Sequence, residues 1–185
     1  VGIVGVGHVG SAVSRALRAE GFRTLHCDPP KGEPATLADL ARECQVITLH
    51  TPLTTEGAHA TFHLADTEFF ASLHQCLVFI NAARGECTDT QALKEAIRSG
   101  KVACAVIDTW ENEPDIDREL LDLAFIATPH IAGYSADGKA NGTRMSLQHV
   151  IDHFRPTPCP QLSVQAPNLP SNFDYAQEVI SQLPA

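Results

Sequence analysis

The chain has 185 residues, of which 44% are hydrophobic and 19% charged, and this length and composition fit one good-sized folded domain with an appendage. The 13 Lys and Arg residues against 22 Asp and Glu residues give a net charge of −9, which argues against nucleic acid or an anionic membrane as the partner. No apolar run approaches the roughly 18 residues of a membrane-spanning helix.

The six cysteines are scattered, with no C-x-x-C pair and no zinc-type spacing. Several lie in apolar strand patterns, so we expect small core residues in a reducing, cytoplasmic protein. His59 and His63 are four residues apart but lack the intervening Glu of a zinc-protease helix, and we expect no metal site. The chain also begins inside a strand pattern without an initiator Met, so we expect a longer protein with a further domain before Val1.

The first ten residues carry the strongest local signal, V-G-I-V-G-V-G-H-V-G. A β-branched apolar run leads into G-x-G-x-x-G, and a helical pattern follows over 11–20, which is the context of a dinucleotide-binding turn. Gly5 permits the tight turn, Gly7 lets the backbone approach a pyrophosphate, and Gly10 lets helix and strand pack closely. The amino end of the helix then attracts the phosphates.

A second strand, Arg23 to Cys27, ends at Asp28, near the position where an acid binds the adenosine ribose. A carboxylate there favours NAD over NADP, because it repels a 2′-phosphate. Lys31 is close enough to keep the NADP alternative open. A glycine-rich turn that binds no ligand is the other alternative.

The rest of the chain alternates helical and strand patterns. We predict helices over 37–43, 66–73 and 90–99, with Asp66 as an N-cap and Gly100 ending the third helix. Strands are predicted over 45–50, 77–81, 102–107 and 124–127, whereas 120–123 is ambiguous. No two-residue hairpin turn joins these strands, so we predict an α/β fold with a Rossmann-type doubly wound parallel sheet.

The character of the sequence changes after Tyr134. A helix is predicted over 136–154, followed by a proline-rich stretch that cannot be helical and a weaker helical pattern over 175–183. We divide the chain into an NAD-binding domain (1–134), a crossover helix toward a substrate domain outside this chain (135–154), and the irregular start of a C-terminal dimerisation segment (155–185).

Ligands of open α/β sheets bind outside the carboxyl ends of the strands. Chemically active residues follow the strands in this order: Asp28; His50 and Thr51; Asn81 and Arg84; Asp108, Glu111 and Glu113; His130. A histidine can take the proton of an alcohol, an acid can orient its ring, and an arginine can grip a carboxylate with two hydrogen bonds. Taken singly, each residue could instead be an ordinary solvated loop residue.

Four motifs in sequence order resemble the D-isomer-specific 2-hydroxyacid dehydrogenases: V-G-I-V-G-V-G-x-V-G, N-A-A-R-G, D-x-W-E-x-E-P and T-P-H-I-A-G-Y. Three further stretches resemble the branch of that family that oxidises 4-phospho-D-erythronate. They are C-D-P-P from Cys27, H-T-P-L-x-x-x-G-x-x-x-T-x-H-L from His50, and H-I-A-G-Y-S-x-D-G-K-A-x-G-T from His130. The resemblance covers Val1 to about Phe154.

The resemblance implies catalytic roles for three residues. Arg84 would bind the substrate, His130 would be the acid/base, and Glu113 would be the carboxylate partner of that histidine. Tyr134 would also touch the substrate. NAD would contact the three glycines and Asp28, together with His8, Val9, Thr51, Asp108 and Gly133. His8 departs from the Asn more usual in the family, a small change if backbone amides make the contact.

The implied activity is NAD-dependent oxidation of a small phosphorylated 2-hydroxy acid, on the route to pyridoxal 5′-phosphate, by a homodimer. We expect residues 1–185 alone to bind NAD weakly and to be inactive, because half of the substrate cleft lies elsewhere. One alternative keeps the mechanism with glycerate or 3-phosphoglycerate as substrate. The other is a non-catalytic NAD-sensing scaffold on the same fold, since fold does not fix function.

Overall fold

The fold is taken from a computed structural model that describes residues 1–158, 161 and 163–166. The chain divides into two compact units, Val1–Ala132 and Gly133–Ala185. The helix predicted over 175–183 lies outside the described residues. The predicted domain boundary at 134 stays a prediction.

The first unit alternates strands and helices throughout. Its strands are β1 Gly2–Val4, β2 Leu25–Cys27, β3 Val46–Leu49, β4 Cys76–Asn81, β5 Val102–Ile107 and β6 Ile126–Ala127. Its helices are α1 His8–Ala19, α2 Leu37–Glu43, α3 Thr67–Ser72, α4 Thr90–Arg98 and α5 Arg118–Leu123, with 3₁₀ turns at Pro29–Lys31 and Gly85–Cys87. The second unit contains α6, Ala136–Phe154, with the bounds that the sequence predicted.

All six strands are parallel, in the order β2-β1-β3-β4-β5-β6, which confirms the predicted doubly wound α/β sheet. The strand order reverses between β1 and β3, and this switch point is where such sheets bind ligands. One row of paired residues crosses the carboxyl edge of the sheet: Cys27, Val4, Leu49, Asn81, Ile107 and Ala127. The loops that follow all six strands therefore start at the same level.

The core of the first unit lies between the sheet and the helices that cover it. Ile3, Ile47 and Phe79 from the strands and Leu40 and Leu93 from the helices have no exposed surface. Burying each such side chain contributes about 1.5–3 kcal/mol to the free energy of unfolding. The carboxyl edge of the sheet is thus held by a well-packed base.

Several elements differ from the sequence prediction: β2 and β6 each begin two residues later than predicted, and α1 and 120–123 differ more. Helix α1 begins at His8, three residues earlier than predicted, because Gly5 completes the turn and Gly7 already serves as N-cap. Glycine has a low helix propensity, so the pattern placed Gly10 before the helix. The ambiguous stretch 120–123 belongs to α5, whose N-cap Asp117 accepts a hydrogen bond from the Leu120 N–H at 2.8 Å.

Across the described residues, no helix combines the length and apolar character that a membrane crossing requires. The same residues contain no group of three or more His, Cys, Asp or Glu side chains placed to hold a metal ion.

Candidate functional site

Two glycines of the first turn are required because backbone occupies the space of a side chain. Gly5 has φ +85°, and a Cβ there would lie 2.7 Å from the carbonyl oxygen of His50. A Cβ at Gly10 would collide with the carbonyl oxygen of Gly5. These two glycines let β1, β3 and α1 approach each other at the switch point.

Gly7 is different, because the space where its side chain would stand is empty. No atom lies within 4 Å of a Cβ built there, and no side chain caps the start of α1. The first amides of a helix lack partners within the helix and attract anions. The amides of His8 and Val9 thus begin a 12-residue helix whose amino end is open to a phosphate.

Asp28 is held at the end of β2, beside this turn. Its Oδ2 accepts a hydrogen bond from the Val6 N–H at 2.7 Å, and Lys31 Nζ donates to the Val6 carbonyl at 2.5 Å. The Lys31 ammonium is therefore engaged by the turn itself. Burial, followed by the charge of Asp28, raises the pKa of the Cys27 thiol to about 11.

A cavity of about 650 Å³ lies at the switch point, large enough for a nucleoside-sized group. Its wall includes Gly5, Gly7, Asp28 and Thr51, four of the predicted cofactor residues, and much of the loop 52–61. An open helix end, a carboxylate and an apolar cavity side by side fit the phosphate, ribose and base of a dinucleotide.

His50 and Thr51 follow β3 at the edge of this cavity. His50 Nε2 lies 3.1 Å from Thr48 Oγ1, and burial lowers the pKa of the imidazole. Thr51 Oγ1 donates to Cys87 Sγ at 3.5 Å. Both residues line the cavity, and Thr51 also contacts the turn after β4.

His130 and Glu113 form a direct pair at the other end of the sheet edge. His130 Nδ1 lies 2.8 Å from Glu113 Oε2, and Glu113 Oε1 accepts a hydrogen bond from the Trp110 N–H at 2.8 Å. The His130 backbone has φ 54°, which non-glycine residues adopt only when their surroundings hold them there. With Nδ1 engaged, the half-exposed ring has Nε2 available to a ligand.

The two other acids after β5 have different partners. Asp108 is buried, and its oxygens accept hydrogen bonds from Thr128 Oγ1 at 2.6 Å and from the amides of Ile131 at 2.8 Å and Ala132 at 3.0 Å. Glu111 Oε1 lies 2.7 Å from His63 Nε2. Asp108 thus fixes the loop that carries His130, and its predicted contact with NAD stays a prediction.

Arg84 follows β4 in a turn built around a buried asparagine. Asn81 donates from Nδ2 to the Arg84 carbonyl at 2.9 Å and accepts from the Ala83 N–H at 3.0 Å, and the Arg84 side chain is exposed. A Cβ at Gly85 would collide with the backbone of Trp110. The loop that carries Arg84 and the loop that carries Glu113 are therefore in backbone contact.

The family model for the NAD binding domain of the D-isomer specific 2-hydroxyacid dehydrogenases matches residues 1–132. This chain belongs to that family. The assignment confirms the resemblance, and NAD is the cofactor of this domain.

Relatives of this NAD-binding domain include erythronate-4-phosphate dehydrogenases. The protein of that name from Bacteroides fragilis is 52% identical over 161 residues, which cover 84% of this chain and 46% of the relative. The one from Porphyromonas gingivalis is 51% identical over 161 residues, covering 83% of this chain and 44% of the relative. The chain thus spans about half the length of the curated relatives it matches.

Two crystal structures of D-lactate dehydrogenases are similar to this domain in fold. The Aquifex aeolicus enzyme, solved with NAD and lactic acid, has a TM-score of 0.67 at 30% identity over 83% of this chain and 52% of that one. The Lactobacillus jensenii enzyme, solved with NAD⁺, has a TM-score of 0.69 at 32% identity over 81% of this chain and 51% of that one.

Gly133 and Tyr134 belong to the second unit of this family member. The Tyr134 ring is exposed, and Lys139 Nζ lies 3.3 Å from its centroid. A hydrogen bond from Lys139 and then the charge of its ammonium lower the pKa of the Tyr134 hydroxyl. The predicted roles of Gly133 with NAD and of Tyr134 with the substrate stay predictions.

No role was predicted for Gly85, and His63 was considered only as a metal ligand. Gly85 could have been noticed inside N-A-A-R-G, because close backbone contact is a common reason for a glycine in a loop. His63 pairs with an acid 48 residues away, and no local pattern signals such a pair.

Proposed function

We propose that the complete natural protein carrying this chain is an NAD-dependent dehydrogenase that oxidises 4-phospho-D-erythronate to 2-oxo-3-hydroxy-4-phosphobutanoate, a step toward pyridoxal 5′-phosphate. The observation that carries this proposal is the His130–Glu113 pair, at 2.8 Å, on an NAD-binding domain. The substrate is proposed from the relatives named erythronate-4-phosphate dehydrogenase, about half identical to this chain.

His130 would take the proton of the substrate 2-hydroxyl at Nε2, since Nδ1 faces Glu113. The Glu113 carboxylate would hold the ring orientation and stabilise the imidazolium that forms. This carboxylate is itself fixed by the Trp110 amide, so the imidazole is oriented before any substrate arrives. In the reducing direction, His130 would return this proton to the substrate oxygen.

Arg84 would bind the substrate carboxylate with two parallel hydrogen bonds and draw electron density from the adjacent carbon. Its exposed side chain, on a loop in backbone contact with the loop of Glu113, supports this role. Arg84 and His130 would then hold the two ends of the 2-hydroxy acid group, with Tyr134 as a further proposed contact.

NAD, when bound, accepts the two electrons and the hydrogen that leave the substrate carbon. Gly5, Gly7 and Gly10 would leave room for its pyrophosphate beside the amides of His8 and Val9. Asp28 would bind the adenosine ribose, while Thr51, Asp108 and Gly133 are proposed to complete the site. The carboxylate of Asp28, beside a Lys31 ammonium that is already engaged, supports NAD over NADP.

We further propose that α6 crosses toward a substrate domain outside this chain, that 155–185 begins a dimerisation segment, and that the protein is a cytoplasmic homodimer. The unpaired thiols of Cys27, Cys44, Cys76 and Cys87 support a reducing compartment. Size-exclusion chromatography with light scattering on the complete protein tests the dimer.

The test is a substrate panel on the complete protein, following NADH absorbance with 4-phospho-D-erythronate, D-glycerate and 3-phospho-D-glycerate. We expect the highest kcat/KM with the first acid. His130→Ala should lower kcat by about 10²–10⁴-fold, with little change in the Kd for NAD. The control His74→Ala removes an exposed histidine elsewhere and should retain wild-type turnover.

A higher kcat/KM with either glycerate would replace the proposed substrate but keep the mechanism. Turnover of none of these acids, with NAD still bound, would favour the NAD-sensing scaffold. Wild-type turnover by His130→Ala would refute the acid/base role.

A further inference from the structure

Three separate loops meet at His63, a residue outside the catalytic set proposed above. The His63 N–H donates to the Glu86 carbonyl at 2.7 Å, so this backbone is tied to the turn that follows Arg84. The His63 ring reaches the loop after β5, where Nε2 lies 2.7 Å from Glu111 Oε1. The backbone of His63 has φ 47°, a conformation that a non-glycine residue keeps only when its contacts hold it.

Glu111 connects this histidine to the start of α4. Its second oxygen, Oε2, accepts a hydrogen bond from the Thr90 N–H at 2.8 Å, and its side chain is only 17% exposed. Asp89 Oδ2 lies 3.7 Å from His63 Nδ1, so the ring stands between two carboxylates. The imidazole and Glu111 together bridge the loop 61–65, the turn 84–90 and the loop 110–113.

The two bridged segments carry the residues proposed to act on the substrate. Arg84 precedes Glu86 by two residues, and Glu113 follows Glu111 by two residues. Gly85 also lies directly against the backbone of Trp110, so the two loops touch at one point, and the His63–Glu111 bond adds a second connection. The His63–Glu111 pair is therefore placed to fix the spacing between Arg84 and the Glu113–His130 pair.

We propose that His63 is a positioning residue for the 2-hydroxy acid site: its bond to Glu111 holds the Arg84 turn and the Glu113 loop in register. This inference rests on the proposed function for its effect on catalysis. The structural role of His63, which is to connect the Arg84 turn with the Glu113 loop, rests only on its contacts with Glu86 and Glu111. A shift of about 1 Å at a catalytic group can cost about 100-fold in rate, so such a tie matters.

The kinetic test uses the complete protein with the best acid of the substrate panel. His63→Ala should lower kcat/KM by about 10- to 100-fold, with both a higher KM for the acid and a lower kcat, because both loops shift. The Kd for NAD should change by less than about threefold, because His63 itself does not line the cofactor cavity and the glycine turn and Asp28 lie on other loops, although Thr61 and Leu64 beside His63 are part of its wall. His63→Gln keeps a donor that can reach Glu111 and should recover most of the loss.

A double-mutant cycle separates a pairwise tie from two unrelated defects. If His63 and Glu111 act as one bridge, then adding His63→Ala to Glu111→Ala should cost little further activity. Asp66→Ala is the matched stability control, because it removes the N-cap bond of α3, from the Phe69 N–H at 2.8 Å, but keeps the backbone bonds between the neighbouring Ala65 and the 84–90 turn. It should lower the melting temperature but leave the KM for the acid unchanged.

Hydrogen exchange measured by mass spectrometry on residues 1–185 gives a readout that does not depend on activity. His63→Ala should increase exchange in peptides that cover 84–90 and 110–113, whereas Asp66→Ala should not. Unchanged exchange in both peptides would overturn the positioning role, as would wild-type kinetics of His63→Ala in an active enzyme. If the wild-type protein oxidises no acid, the proposed function fails, and the exchange result still decides the role of His63.

Discussion

The buried carboxylate of Asp108 offers a sharp test of how the His130 loop is held. Its two oxygens accept three hydrogen bonds from the loop that follows β6, one from a threonine hydroxyl and two from the amides of Ile131 and Ala132. Only 5% of Asp108 is exposed, so water can solvate little of the carboxylate if these bonds are lost. The perturbation we consider is a graded pair, Asp108→Asn and Asp108→Ala.

The expected loss in the free energy of unfolding follows from the number of hydrogen-bond donors to Asp108. A hydrogen bond to a charged group contributes about 1.5–3 kcal/mol, but Ile131 and Ala132 are exposed and their amides can turn to water. We therefore expect Asp108→Ala to lower the free energy of unfolding by about 2–4 kcal/mol rather than by the full sum. Asp108→Asn keeps one oxygen but turns an NH₂ group toward a donor, so a loss of about 1–2 kcal/mol is expected.

Thermal unfolding of residues 1–185, followed by circular dichroism, measures both variants. For a chain of this size each kcal/mol shifts the melting temperature by about 2–4 °C, so the Ala variant should melt roughly 4–16 °C lower. Thr128→Val removes one of the three donors and should fall between wild type and Asp108→Ala. A shift below about 2 °C for Asp108→Ala would refute the loop-anchor reasoning. NAD titration of the same samples then measures the predicted cofactor contact separately.

Two further predictions concern the other end of the sheet edge and the buried thiols. Gly7→Ala should change the melting temperature by less than about 2 °C yet weaken NAD binding at least about tenfold. Gly10→Ala should lower the free energy of unfolding by about 1–3 kcal/mol, because its Cβ meets a backbone carbonyl. Scanning and titration calorimetry of each variant measure both quantities, and the reverse pattern would contradict the geometry. Burial is the main cause that raises the pKa of the Cys27 thiol to about 11 and of the Cys76 thiol to about 12, from the ordinary 9.0. The unfolded chain therefore loses these two protons at a lower pH than the folded chain does. The free energy of unfolding should fall as the pH rises above 9.0. Urea unfolding across that range measures the fall, and a flat profile would show that these thiols ionise equally in both states.

Most of the sheet could be predicted from the sequence because strand patterns and turn residues are local signals. The run Val102–Ile107, for instance, is apolar on both faces and is bounded by Gly100 and an acid, so its ends are marked. The start of α1 was harder, since Gly10 is a poor helix former and is tolerated there for its close packing. Local propensity yields to tertiary contact at that position.

The residue types of the candidate site could be predicted from the sequence, but the partner of each acid could not. Asp108, Glu111 and Glu113 stand within six residues and follow the same strand, yet one anchors a loop, one binds His63 and one binds His130. Which acid takes which partner depends on the path of the loop, and no periodic pattern encodes that path. Only the resemblance to a family singled out Glu113 before the geometry was known.

The glycines along the sheet edge give a physical criterion that applies beyond this chain. At Gly10 and Gly85 a side chain would strike backbone, so these positions serve the fold whether or not a ligand binds. At Gly7 a side chain would strike nothing that belongs to the protein, although the residue stands at the mouth of a helix. Packing does not explain a glycine at a helix start when a side chain there would meet only empty space. A bound ligand is then the explanation to test. By this criterion we predict a pyrophosphate site centred on Gly7, while Gly10 and Gly85 set the distances between the elements around it.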